Sequence, residues 1–260
     1  MQTLLDQSAL AADRSCPLTV CRCPRCGLVQ LAEDPDAGRV YSADYLYSVN
    51  FSQHAQEYQR ALAARWARDH HLAGLRVLEI GGGDGLFASL LESHGCHVTL
   101  VEPAPRACQA ARERGLRCVI EGYLTAETFP EARFDAVVAR HVLEHIPQPV
   151  DFLALLRAQL VPGGRLFIEV PNLDGTVAQG RHQDFYAEHL SYFQPRSLAA
   201  AVSEAGLEVL EFFTIENGDY LVGVTRVPAR SLDELIADTE QFIGQFRAMA
   251  RDSRAQGRRL

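Results

Sequence analysis

The chain has 260 residues, 47% of them apolar, enough for one large domain or a domain with appendages. With 33 acidic against 25 basic side chains and a net charge of −8, it lacks the basic excess that neutralises phosphates, so nucleic acid is excluded as the main partner. No apolar run approaches the roughly 20 residues that span a bilayer, and no signal peptide precedes the first polar residues; a soluble, cytoplasmic protein with no membrane partner is expected.

Residues 1–15 read as a helical or frayed leader. Four of the seven cysteines follow, as Cys16, Cys21, Cys23 and Cys26. Cys23-Pro24-Arg25-Cys26-Gly27 is half of a zinc knuckle, a turn that presents two thiolates to one tetrahedral ion. Cys16 and Cys21 are the nearby candidates for the remaining ligands. The four cysteines either hold a structural zinc, leaving no open position for chemistry, or are metal-free thiols. Tyr41, Tyr45 and Tyr47 then form an aromatic cluster suited to packing or to a lid. Residues 1–50 are therefore expected to be a Cys-rich segment and lid. From Ser52, a plausible N-cap, to about His71 the pattern is helical.

Residues 75–91 organise the rest. Leu75, Val77, Leu78 and Ile80 read as a buried strand, and Leu86, Phe87, Leu90 and Leu91 resume at helical spacing. Between them Gly81, Gly82, Gly83 and Gly85 let the backbone turn tightly and approach a ligand at a helix N-terminus. Leu86 stands where a dinucleotide fingerprint needs its third glycine, and the chain has no lysine for a P-loop. Glu79, at the strand end, suits a ligand with a cationic amine. Strand two, 98–101, ends at Glu102, whose carboxylate can accept both hydrogen bonds of a ribose diol.

A helix over 104–114, closed by Gly115, leads to strand three over 116–120, with Tyr123 beyond it where an adenine would lie. Strand four, 134–139, runs into Arg140-His141-Val142-Leu143-Glu144-His145-Ile146. Asp151 is expected to cap a helix ending near Leu160, then Pro162-Gly163-Gly164 to turn into strand five over 165–170. An insertion over 171–194 follows, then a helix over 197–205. Strands over 207–215 and 220–227 are joined through Asn217-Gly218, a strong hairpin signal. The expected fold is α/β: a doubly wound, Rossmann-like seven-stranded sheet with an antiparallel last strand, over 51–227. From 231 the chain reads as a helix, acidic at its start and basic at its end, forming a C-terminal unit over 228–260.

Glu79 to Gly85, Glu102 and Phe134-Asp135 with Val142-Leu143-Glu144-His145-Ile146 resemble class I S-adenosylmethionine (SAM) methyltransferases. Cys23 to Leu31, Asp44-Tyr45-Leu46-Tyr47 and Phe185-Tyr186-Ala187-Glu188-His189-Leu190-Ser191-Tyr192-Phe193 resemble the zinc-containing sugar C-methyltransferases, which methylate a carbon of a nucleotide-linked keto-deoxysugar in antibiotic pathways. The resemblance implies SAM beside Glu79, Gly81, Gly82, Gly83, Glu102, Tyr123, Arg140 and His141. It implies His189 as general base, in one unit with Tyr186 and Glu188. His145 would face the reacting carbon, and Tyr47 or Tyr45 would close the pocket.

Glu188 directly precedes His189, so in an extended stretch the two point apart; Tyr186 is placed to donate to an enolate oxygen. A buried structural histidine is the alternative reading of His189. Three departures stand out: the family's first C-x2-C knuckle is missing, Asn217-Gly218-Asp219 replaces its His-Gly-Gly turn, and the chain stops about where a second Rossmann-like domain would begin. The expected activity is C-methylation of a keto-sugar-like or other natural-product intermediate, with a small-molecule acceptor and a monomeric or homodimeric enzyme. O- or N-methyl transfer and a non-catalytic SAM- or partner-binding module are the alternatives.

Overall fold

The computed structural model describes residues 17–34, 52–130, 133–228 and 243. Cys16, Tyr41, Tyr45, Tyr47 and, apart from Ile243, the expected C-terminal helix lie outside these residues. The chain divides into a unit of Met1–Val227 and a unit of Pro228–Leu260.

The ten strands described are β1 (Val20–Arg22), β2 (Val29–Leu31), β3 (Arg76–Ile80), β4 (His97–Glu102), β5 (Val119–Glu121), β6 (Phe134–Arg140), β7 (Leu160–Pro171), β8 (Ser191–Tyr192), β9 (Glu208–Ile215) and β10 (Tyr220–Arg226). The six α-helices are α1 (Gln53–Asp69), α2 (Leu86–Ser93), α3 (Pro105–Glu113), α4 (Pro149–Ala158), α5 (Leu173–Ala178) and α6 (Pro195–Glu204). Seven strands form the central sheet in the order β5-β4-β3-β6-β7-β10-β9. The first five are parallel, and β10 runs antiparallel to both β7 and β9. A small sheet, β1-β2-β8, is antiparallel throughout.

The middle strands are apolar at nearly every position because helices cover both faces of the sheet. Alternate residues feed two cores. Leu78, Val137 and Ile168 meet Leu153 and Leu156 of α4 and Leu198 of α6 on one face. Val77, Val138 and Phe167 meet Trp66 of α1 and Phe87 and Leu91 of α2 on the other. Leu28 joins the first core, fixing the β1–β2 hairpin to the domain. No described helix is long and apolar enough to cross a membrane.

The expected doubly wound sheet with its antiparallel end is present, and local boundaries differ for physical reasons. The turn expected at 162–164 lies inside β7, where Gly163 N–H donates to the Val227 carbonyl and Val227 N–H donates to that of Gly164, at 3.1 and 2.9 Å. Asp151 falls inside the first turn of α4 instead of capping it; the cap is Gln148, and Pro149 supplies the first helical residue with its preset φ. Strand three shrinks to Val119–Glu121. The Asn217-Gly218 hairpin is present with its expected loop: Ile215 pairs with Tyr220 and residues 216–219 connect them. Glu216 and Asn217 both take left-handed conformations, with φ of 50° and 55°.

Phe167 is fully buried, 4.7 Å between centroids from Trp66, the chain's one tryptophan. Phe167→Ala should cost about 3–5 kcal/mol through lost burial and the cavity left behind. Urea unfolding followed by Trp66 fluorescence checks this.

Candidate active site

β3 delivers the chain into the glycine turn at the C-terminal edge of the sheet. A Cβ on Gly81 would stand 2.6 Å from Val142 Cγ2, and one on Gly82 would stand 2.7 Å from Leu100 Cδ1 and 2.8 Å from the Glu79 carboxyl carbon. The turn is therefore bare because its neighbours fill the space a side chain would need. Arg114 ties it down, donating from Nη2 to Asp84 Oδ2 at 2.8 Å and from Nε to the Asp84 carbonyl at 3.0 Å. Glu102 pins it from below: Oε2 accepts from Gly83 N–H at 3.0 Å and Oε1 from Ala104 N–H at 2.9 Å. Each carboxylate oxygen is thus held by one backbone amide, with one lone pair still open.

Glu79 is 2% exposed, and its Oε2 is buried without a hydrogen-bond partner. Burial pushes its carboxyl up to about 7, against the opposing charge of Arg140. Tyr123 stands exposed just beyond β5.

The ends of β6 and β7 carry a buried charge network. Glu169 accepts from Arg140 Nε at 2.6 Å, from the Tyr58 hydroxyl at 2.6 Å and from His141 Nε2 at 2.9 Å. The Arg140 guanidinium also lies 4.2 Å from the centroid of the Phe87 ring. Burial works to raise the Glu169 carboxyl, but Arg140 and His141 hold it far below the usual carboxylate range. Burial opposes charge on His141 too, yet Glu169 and Glu144 raise the imidazole to about 9, so it is protonated at neutral pH. Arg140, expected beside a cofactor, has its charge matched within the fold by Glu169.

Beyond His141 the chain makes a single tight turn, Leu143–His145. It is held against the insertion by Leu190 N–H donating to the Glu144 carbonyl at 2.8 Å. His145 Nδ1 donates to the Glu188 carbonyl at 2.7 Å. The Tyr186 hydroxyl and His189 Nε2 share a hydrogen bond of 2.5 Å, and the His145 and His189 rings lie 4.9 Å apart. His189 is 7% exposed and Tyr186 40% exposed, so the tyrosine is the more accessible member of the pair. Burial pushes His189 down to about 4, which leaves it neutral across the physiological range. The Tyr186 hydroxyl is raised, first by burial and then by Glu144 and Glu188.

Tyr186, His189 and His145 thus come together as the sequence suggests. Glu188 contributes its backbone carbonyl to His145, and its side chain does not orient His189. Tyr58, Glu144 and Glu169 were missed. The signal for the last two was a lone acid inside an apolar run, in Val142-Leu143-Glu144-His145-Ile146 and Phe167-Ile168-Glu169-Val170. In the N-terminal hairpin, Cys23 and Cys26 flank the turn, and hydrogen bonds to the Cys23 sulfur, from the Cys26 and Arg25 backbone and from the Cys26 thiol, lower its pKa. Cys21 does not converge with them: among the described residues these thiols form no three-ligand group. The described donors do not make a tetrahedral zinc site.

Residues 51–211 match the family described as methyltransferase domain. The chain belongs to the methyltransferase family. Among its relatives, the ubiquinone biosynthesis O-methyltransferase of Xylella fastidiosa (strain 9a5c) is 31% identical over 162 residues, covering 53% of this chain and 63% of that protein. The C-methyltransferase NovU of Streptomyces niveus is 27% identical over 253 residues, covering 94% of this chain and 59% of that protein. The chain therefore spans about three fifths of the length of these curated relatives. Among solved structures, a 1,6-didemethyltoxoflavin-N1-methyltransferase of Burkholderia thailandensis, crystallised with that compound and S-adenosylhomocysteine, superposes with a TM-score of 0.55 at 24% identity, covering 68% of this chain and 82% of that one. It shares the methyltransferase fold.

The buried Glu79 gives this domain a pH signature. Between the ordinary value of 4.5 and about 7 the folded chain keeps a proton that the unfolded chain has lost. Stability should therefore fall as pH rises through that window, by ~3 kcal/mol in all. Glu79→Gln should flatten the dependence, which urea unfolding at pH 5 and pH 8 without ligand would show.

Proposed function

We propose that this methyltransferase acts on a carbon next to a carbonyl in a small molecule of the keto-sugar or related natural-product kind, with SAM as donor and His189 as general base. The observation that carries the reading is the Tyr186–His189 hydrogen bond of 2.5 Å, made by a neutral, buried imidazole on the insertion after β7. That insertion is joined to the glycine turn through Leu190, Glu144 and Val142, at the sheet edge where ligands of this fold class bind.

The residues present fit SAM. The orphaned carboxylate of Glu79 matches a cationic amino group, the bare backbone of Gly81 and Gly82 gives close approach, and the open lone pairs of Glu102 suit ribose hydroxyls. Tyr123 stands where an adenine would meet a flat apolar partner. Bound SAM supplies an electrophilic methyl group on a sulfonium. The chain supplies position and proton chemistry. At rest the Tyr186 hydroxyl donates to His189 Nε2; with acceptor bound it turns to the carbonyl oxygen, the freed Nε2 takes the proton from the acceptor carbon, and the C–H electron pair moves into an enolate whose oxygen Tyr186 then hydrogen-bonds. The enolate carbon would take the methyl from bound SAM, the methyl–sulfur bond breaking with its electron pair left on sulfur as the carbonyl is restored.

The spread of the resemblance supports carbon as the acceptor. The similarity to the C-methyltransferase covers 94% of this chain, so it extends beyond residues 51–211, the region matched to the family. The O-methyltransferase relative covers 53%. That relative supports a second reading, in which the same imidazole takes the proton of a hydroxyl group.

Calorimetry with SAM should show binding to the purified chain, and no binding would sink both enzyme readings. With a nucleoside-diphosphate 4-keto-sugar as trial acceptor, the wild-type chain should exchange the α-hydrogen for solvent deuterium. His189→Ala should lower the exchange rate by at least about 100-fold while SAM affinity stays within about twofold. Exchange that survives this substitution would remove His189 as the base.

A further inference from the structure

Glu144 is left over by the chemistry assigned so far, and its surroundings are unusual for a carboxylate. The residue is 1% exposed, and neither side-chain oxygen accepts a hydrogen bond. Oε1 lies 3.6 Å from His141 Nδ1 and 4.0 Å from both His145 Nε2 and His189 Nε2. These separations are too long for hydrogen bonds and short enough for strong charge interaction in a buried site.

The hydrogen bonds around the cluster fix what its nitrogens can do. His145 donates from Nδ1 to the Glu188 carbonyl, so Nε2 is the ring nitrogen left to accept a hydrogen bond or a proton. With the Tyr186 hydroxyl donating to His189 Nε2, that nitrogen is an acceptor as well. Two acceptor nitrogens and a carboxylate oxygen, all within 4.8 Å of one another, therefore face each other. Such a set is at rest only beside positive charge.

The imidazolium of His141 supplies one positive charge, shared with Glu169. Glu144 and Glu169 match the charges of His141 and Arg140. Burial works to raise Glu144, and His141 beside it outweighs burial and keeps the carboxyl ionised. The other charged or titratable groups that face His189 are Asp184, which acts through its charge, Tyr186, and Tyr192, whose ring lies 6.1 Å away.

We propose that Glu144 is a positioning residue that orients the His145–His189 pair and offsets the imidazolium formed when His189 takes the acceptor's proton. This rests on the reading of His189 as the base. In the step concerned the acceptor C–H bond breaks, its electron pair stays with the carbon and is delocalised onto the carbonyl oxygen, and the proton passes to His189. Glu144 bonds to none of the reacting atoms. It gives the arriving positive charge a buried counter-charge, and the imidazolium later releases its proton to solvent.

The test compares full-length wild type, Glu144→Gln and Glu144→Asp. Glutamine keeps the size of the side chain and removes its charge. Histidine NMR, with rings assigned from single histidine variants, should show the His141 midpoint falling from about 9 by roughly one pH unit or more in Glu144→Gln and recovering in Glu144→Asp. Deuterium exchange into the nucleoside-diphosphate 4-keto-sugar should slow by about 100-fold in Glu144→Gln, with the KM for that compound within about twofold. SAM affinity should not change.

A glutamine variant that exchanges at the wild-type rate, while His189→Ala does not exchange, would overturn the role of Glu144 and leave His189 in place. Undiminished exchange in His189→Ala would overturn both. Binding of Zn²⁺ or Mg²⁺ by the wild type but not by Glu144→Gln, with selective change at the His145 and His189 rings, would make the cluster a metal site and overturn the positioning role.

Discussion

A fully buried carboxylate sets the terms for this domain. Glu169 lies near the end of β7, out of reach of water, and its charge persists only because Tyr58 from α1, Arg140 from β6 and His141 from the following loop all converge on it. The desolvation of such a group is repaid only by near-complete satisfaction of its lone pairs. The network therefore fixes the distance between β6 and β7 and the place of α1 over the sheet. It also fixes His141, which adopts a φ of 54° to bring its ring back to Glu169. That left-handed residue turns the chain into the short segment that carries Glu144 and His145. The side chains with chemical potential are thus placed by electrostatics one layer behind them.

The insertion after β7 is anchored as firmly as the sheet. Leu173 N–H donates to the Phe193 carbonyl at 2.9 Å, and Leu31 N–H donates to the Leu190 carbonyl at 2.9 Å. β8 completes the small sheet with β2. Leu190, next to His189, is therefore held from two sides, by Leu31 of the N-terminal hairpin and by the Glu144 backbone. For the proton transfer proposed, such anchoring would limit the reorganisation the segment needs.

The doubly wound sheet is legible in the sequence because its signals are local: the apolar run before Gly81, the glycine turn itself, and the period-two strands around Asn217-Gly218. Tyr186, His189 and His145 are legible through their motif. Glu169 and Glu144 are harder to read, because a single acid in an apolar run has no periodicity and its meaning depends on partners up to 111 residues away, as with Tyr58. The ion pair of Arg140 is hidden for the same reason, since its partner lies on another strand. The reach of β7 through Pro162-Gly163-Gly164 is hidden too: local turn chemistry yields there to hydrogen bonds with Val227, far along the chain.

The last hairpin has a consequence for how this enzyme can diverge. Asn172 Nδ2 donates to the Gly218 carbonyl at 2.7 Å, Arg181 pairs with Asp219 at 2.6 Å, and a Cβ on Gly175 would collide with the Gly218 carbonyl oxygen. The 216–219 loop and the insertion are two halves of one mould, separated by more than twenty residues of helix and strand. A homologue's loop grafted alone would leave Arg181 with Asp184 but without Asp219, and a homologue's insertion grafted alone would meet a loop cut to another shape. The contacts between the two segments would therefore survive recombination between relatives only when both segments travel together.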